Sequence, residues 1–129
     1  IKRAGADFTI VSYSRMVSVA LAAAEELAQR GIDVEVVDLR SLRPLDSNTI
    51  LESVKKTGHA MVVEEAWRTG AFGAEVVGLI QEHAFDYLDG PVGRIAGVEV
   101  PMPYSQTLEQ AAIPRPESVV QAVESALGR

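Results

Sequence analysis

The chain has 129 residues, 47% of them hydrophobic and 23% charged, enough for one globular domain with a real core and typical of folded rather than disordered chains. Eighteen acidic against twelve basic residues give a net charge of −6, which argues against a nucleic-acid backbone or an anionic membrane as the main partner. With no cysteine, disulfides, thiol nucleophiles and Cys-ligated metals are excluded, and the composition suits a reducing compartment. No apolar run approaches the roughly 20 residues of a membrane-spanning helix.

The opening "IKRAGAD" starts at Ile1 rather than Met and reads as the middle of a longer polypeptide. "FTIVSYS" (8–14) is β-branched and aromatic and predicts a strand. Val17, Ala20, Leu21, Ala24, Leu27 and Ala28 then repeat at helical spacing, with Gly31 as the stop. "VEVVDL" (34–39) is a second strand whose unbroken apolar character fits a sheet covered on both faces. After Pro44, Asp46 or Ser47 caps a helix that ends in Lys55, Lys56 and Gly58. "HAMVVEE" (59–65) predicts the third strand, with Trp67 in the loop beyond it. A third helix is expected from about Gly73 to Phe85, and a fourth strand over 93–100. The last helix runs from Pro116 to Leu127, Pro116 fitting its first turn. Strands alternating with helices predict a three-layer α/β/α fold around a mostly parallel sheet, as a single domain over 1–129.

"EEAWRTGAFGAEVVGLI" (64–80) has the outline of a phosphate cradle: strand, glycine loop, helix. It lacks both GxGxxG and a glycine followed by Lys-Ser/Thr, and Glu64 and Glu65 beside the loop would oppose an anion. Gly70, Gly73, Ala74 and Gly78 read better as a small-residue face for close packing against another subunit. Alternation along a strand sends Glu64 and Glu65 to opposite faces, so they do not form an acid–base pair. Glu65 is then expected to cap a turn or to meet an Arg across an interface. His59 and His83 are the only histidines, and neither sits in a metal-ligand pattern. A Ser-His-Asp set from Ser12 or Ser14, Asp38 and His59 can be written, without nucleophile-elbow glycines. Trp67 beside Arg68 either covers the end of the core or anchors an interface. "VPMPYS" forms a stiff segment that presents Met102 and Tyr104. From the residues alone, no self-sufficient catalytic set emerges.

Three stretches in order, "DFTIVSYSRMVSVALAAAEELAQRGIDVEVVDLRSLRPLD", "VVEEAWRTGAFGAEV" and "VGRIAGVEVPMPYSQTLEQAAIP", resemble the C-terminal domain of the β subunit of 2-oxo acid dehydrogenase decarboxylase components, thiamine diphosphate enzymes related to transketolase. The "PMPY…LE" wording is similar to the pyruvate type, with acetoin and branched-chain types as alternatives. The resemblance implies a transketolase C-terminal-like fold with a mixed, mostly parallel five-stranded sheet, one strand antiparallel and falling in "IKRA" and what precedes it. It implies an α2β2 assembly of α subunit and second β subunit, and docking of the small, basic subunit-binding domain of a dihydrolipoyl acyltransferase. Thiamine diphosphate and magnesium would bind, in the intact enzyme, between the α subunit and an N-terminal pyrimidine-binding domain of the β subunit outside these residues. No cofactor-binding or catalytic position is carried over to this chain. The location implied is cytoplasmic, or the mitochondrial matrix in a eukaryote. Glu65, Trp67, Arg68, Gly70, Gly73, Ala74, Met102 and Tyr104 are the candidate interface residues. A stand-alone anion- or nucleotide-binding domain using Gly70 to Gly73 is the competing reading.

Overall fold

A computed structural model describes all 129 residues. Four strands, β1 (Phe8–Ser12), β2 (Val34–Asp38), β3 (Ala60–Trp67) and β4 (Gly93–Gly97), form one sheet in the order β2-β1-β3-β4. All three pairings are parallel. The sheet has four strands rather than five: the antiparallel pairing expected near "IKRA" is a single bridge between Arg3 and Val36. One residue cannot make a ladder, and a further strand there needs chain before Ile1 to run along the edge of β2.

Helix α1 (Met16–Gln29) and the last helix (Pro116–Ala126) cover one face of the sheet; α2 (Ser47–Thr57) and α3 (Phe72–Ala84) cover the other. Successive strand residues point to opposite faces. Ile10, Val34, Val36 and Val63 therefore enter the first core, and Val11, Val37 and Val62 enter the second. Double burial is why β1 and β2 read as continuous apolar runs. The α2 ends follow the sequence signals: the Asp46 carboxylate accepts from Thr49 N at 3.1 Å, and Gly58 closes the helix at φ +69.

Two elements depart from expectation. Trp67 belongs to β3, not to the loop: the register slips between Val63 and Trp67, and the strand resumes with Trp67 opposite Gly97. "QTLEQAA" forms a short helix, α4 (Gln106–Ala112), so the last helix is α5. Only Ala112 of α4 is buried, which is why no apolar periodicity announced it.

At the free edge of the sheet, β2 carries a charge inside the core. Glu35 is fully buried and accepts bonds from Ser53 and Lys56 of α2 and from Gly5 N. Burial raises the carboxyl pKa, but Lys56, Ser53 and Gly5 N–H outweigh it and hold the group below its ordinary range. A depressed folded-state pKa contributes stability that is complete above the carboxylate range and is lost as pH falls through it. Glu35→Gln should therefore cost about 1–3 kcal/mol at neutral pH. Its penalty relative to wild type should shrink as urea midpoints are followed down through about pH 4. An equal penalty at pH 7 and pH 3 would show that the charge is not what Glu35 contributes.

Candidate interface at the carboxyl end of the sheet

In open α/β sheets, ligands and partners meet the carboxyl ends of the strands, where the strand order reverses. Here the reversal lies between β1 and β3, and the residues at that end are Tyr13, Ser14, Glu64 to Trp67 and the segment after Gly97. Glu64 occupies the crevice. Its side chain is wholly buried. Oε2 accepts from the Tyr13 hydroxyl at 2.9 Å and from Gly73 N at 2.8 Å, while Oε1 accepts from Arg94 Nε at 2.7 Å. Arg94 Nη2 also lies 2.5 Å from Oε1, but out of line, so it completes the ion pair without a hydrogen bond of its own. The carboxylate thus sits at the N-terminus of α3, whose N-cap Ala71 offers no side-chain acceptor. Negative charge is favoured there by the free N–H groups and the helix dipole. Burial first, then the bond to Glu64, pushes the Tyr13 hydroxyl up to about 12, so Tyr13 stays a donor.

This geometry revises the reading of the glycine loop. Gly73 is buried, and a Cβ there would stand 2.2 Å from Glu64 Oε1. Its missing side chain makes room for this chain's own carboxylate, not for a subunit or a phosphate. Gly70, Ala74 and Gly78 behave differently. An added Cβ at Gly70 or Gly78 meets nothing, Gly70 holds a turn at φ +73, and Ala74 is exposed. The small-residue face therefore splits: one glycine serves the interior and three positions face outward.

Glu65 points away from Glu64, as strand alternation requires, and lies 3.9 Å from Arg15, which is also 3.7 Å from Glu109 of α4. Trp67 is half exposed, and its indole N–H donates to Val100 O at 3.1 Å. Arg68 donates to Arg94 O at 3.0 Å, and Thr69 N donates to Glu99 at 2.8 Å; the Thr69 side chain first, and this backbone bond second, lower the Glu99 pKa. These bonds tie the loop after β3 to β4 and to the segment that follows it. Val98, Val100, Pro103, Leu108, Ala111 and Ala112 line an apolar groove of about 180 Å³. Met102 beside it is half exposed and Tyr104 fully exposed. Trp67, Arg68, Met102 and Tyr104 are thus brought to one end of the molecule, with Glu65 at its margin.

The serine constellation is not assembled. The Ser12 hydroxyl is buried and donates to Val63 O. Ser14 turns the chain at φ +56 at the carboxyl end of β1. His59 precedes β3 at the opposite end of the sheet and stacks on Phe8. The residues that sequence reasoning missed are Tyr13 and Arg94, 51 and 30 positions from Glu64. The one signal for them was a charged Glu at a strand position where burial demands a partner.

Comparison with known proteins agrees with this architecture. The model of the transketolase C-terminal domain family matches residues 1–119, and the chain belongs to that family. It is 52% identical over 128 residues to the pyruvate dehydrogenase E1 component subunit beta, mitochondrial, of Ascaris suum, covering 98% of this chain and 36% of that protein. The corresponding protein of Dictyostelium discoideum is 49% identical, at 96% and 35% coverage. The pyruvate dehydrogenase E1 component subunit beta of Rhizobium meliloti is 47% identical, at 97% and 27%. A solved split-gene transketolase, in an inactive β4 tetramer, superposes with a TM-score of 0.82 at 32% identity, covering 98% of this chain and 40% of that one. The chain spans about a third of the length of the curated relatives it matches.

The clasp has opposite consequences for two glycines. Gly73→Ala, in a helix position where alanine ordinarily helps, should destabilise by about 1–3 kcal/mol through overpacking against Glu64. Gly78→Ala, in the same helix with open space, should stabilise by up to about 1 kcal/mol. Thermal or urea denaturation of both variants checks the signs. Glu64→Gln should cost more than either, about 3–5 kcal/mol, because it strands the largely buried Arg94.

Proposed function

We propose that this chain is the C-terminal domain of the β subunit of a pyruvate dehydrogenase E1-type decarboxylase and serves assembly rather than bond-breaking. The observation that carries this reading is 47–52% identity along nearly the whole chain to β subunits of that name. The intact enzyme would decarboxylate pyruvate oxidatively, release carbon dioxide and pass the acyl group to a lipoyl disulfide, which is reduced as it is acylated. Thiamine diphosphate with magnesium supplies the electron sink in such chemistry. The residues here do not fit that cofactor: the N-terminus of α3 is filled by Glu64, and no three acidic or histidine side chains converge as metal ligands. Cofactor binding is assigned to an N-terminal pyrimidine-binding domain and an α subunit.

The partners in this reading are the α subunit, a second β subunit and the basic subunit-binding domain of a dihydrolipoyl acyltransferase. The net charge of −6 suits the last of these. The β4 tetramer of the split-gene transketolase supports β-to-β association in principle. Trp67, Arg68, Met102 and Tyr104 form the contact surface at the carboxyl end, shared between the rest of the β subunit and its partners, with Glu65, Gly70 and Ala74 at its margin. The location is the mitochondrial matrix or the cytoplasm. Two of the relatives are named mitochondrial, and no helix of this chain is long and apolar enough to cross a membrane.

Reconstitution tests the reading. The full-length β chain, mixed with an α subunit, thiamine diphosphate and magnesium, should decarboxylate pyruvate, and the 129-residue domain with the same cofactors should be inert. Arg68→Ala should weaken assembly by about 2 kcal/mol, roughly 30-fold in dissociation constant, as an interface arginine does. Pyruvate turnover by the 129 residues alone would overturn the assignment.

A further inference from the structure

The apolar surface at the carboxyl end has an occupant that the course of the chain itself indicates. Trp67, Val98, Val100, Met102, Tyr104 and Leu108 are each between 40% and 107% exposed. Together they present roughly 700 Å² of side-chain surface, above the largest apolar patch usual on a monomer and near the 800 Å² that one partner gives to a stable interface.

The direction of entry narrows what covers it. Arg3 runs antiparallel to Val36, so the chain from Arg3 back to Ile1 heads toward the carboxyl end of β2, where Ile1 shares a cavity with Val37, Asp38, Leu39, Arg40 and Ser41. Chain before Ile1 therefore arrives at the same end of the sheet as the patch. The strand order places β4 three spacings from β2, about 15 Å at 4.8 Å each. The surroundings of Ile1 are polar: the larger cavity it borders, about 480 Å³, is lined otherwise by Glu35, Asn48, Thr49, Glu52, Ser53 and Lys56. A body of chain seated over this end would meet a polar edge where it enters and an apolar groove across from it. The family places this domain C-terminally, and about two thirds of the length of the relatives lies outside the match. That is ample chain for a covering domain.

We propose that the groove of Val98, Val100, Pro103, Leu108 and Ala111, with Trp67 and Tyr104, is covered within one polypeptide by the part of the β chain that precedes Ile1, which inserts an apolar side chain into it. This rests on the reading of the chain as the C-terminal domain of a longer subunit. It leaves the polar remainder of the carboxyl end, with Arg68 and Glu65, for other subunits.

Hydroxyl-radical footprinting of the full-length β chain tests it, read at Tyr104 with Tyr87 as internal reference. Tyr87 is about half exposed and follows the C-terminal end of α3, beside Lys55 of α2, whereas Tyr104 is fully exposed. Burial within the chain predicts that Tyr104 is oxidised at least about fivefold more slowly than Tyr87, with no α subunit present and at every chain concentration. Tyr104 oxidised as fast as Tyr87 in the β chain alone, but protected once an α subunit is added, would overturn the proposal and leave the assembly reading standing. Protection that grows with chain concentration would assign the patch to a second copy and overturn it as well. Tyr104 exposed under all these conditions would overturn both readings.

Discussion

A carboxylate cannot stay charged inside a protein unless its partners replace the water it gave up. Glu64 meets that requirement with donors from three separate elements: Tyr13 after β1, Gly73 in the first turn of α3, and Arg94 in β4. Each donor then fixes something larger. Gly73 sets how α3 leaves the sheet, Arg94 holds the edge strand against β3, and Tyr13 orients the turn into α1. The backbone carbonyl of Arg94 in turn receives Arg68, so the loop after β3 is tied to the same cluster. Removing the charge would free four elements at once, which is why this interaction outranks the surface ion pairs, where about 0–1 kcal/mol each is usual.

The same cluster decides what this end of the sheet can do. A doubly wound sheet offers a crevice at its strand-order reversal, and a helix N-terminus there commonly holds an anion. In this chain the anion is covalently its own. Gly73, which in a nucleotide site would let a phosphate approach the backbone, instead lets Glu64 approach it. The helix N-terminus in the crevice is therefore already occupied, and what this end offers beyond it is its outward surface: an indole, a phenol, a thioether and a valine-lined groove, a set suited to contact with protein.

Much of the architecture was legible in the residues because it rests on local regularities. Double burial wrote itself into "FTIV" and "VEVV" as unbroken apolar runs, and Asp46, Lys55, Lys56 and Gly58 marked the ends of α2 through capping and the helix dipole. What stayed hidden depends on pairing between distant positions. Nothing local says that Arg94 reaches Glu64, that Gly5 N and Lys56 meet at Glu35, or that Trp67 rejoins the sheet after a register slip. Gly73 was misread for the same reason: the small-residue pattern is real, but whether a glycine faces a partner or its own core depends on what lies across from it. Helix α4 went unseen because it lies on the surface and buries one alanine.

Charge and apolar surface are also distributed with a consequence for association. Around the patch, acidic side chains are paired with arginines: Glu64 with Arg94, and Glu65 and Glu109 with Arg15 at 3.9 and 3.7 Å. The chain as a whole carries a net charge of −6. A uniformly acidic surface would repel any neighbour of the same sign at this end and would charge the cost of desolvation to every contact. Pairing with arginine lowers that barrier where the apolar groups are exposed. The net charge of −6 still opposes indiscriminate aggregation through Trp67, Met102 and Tyr104. The two properties coexist because Glu64, Glu65 and Glu109 each have an arginine beside them at the end of the molecule that carries the patch.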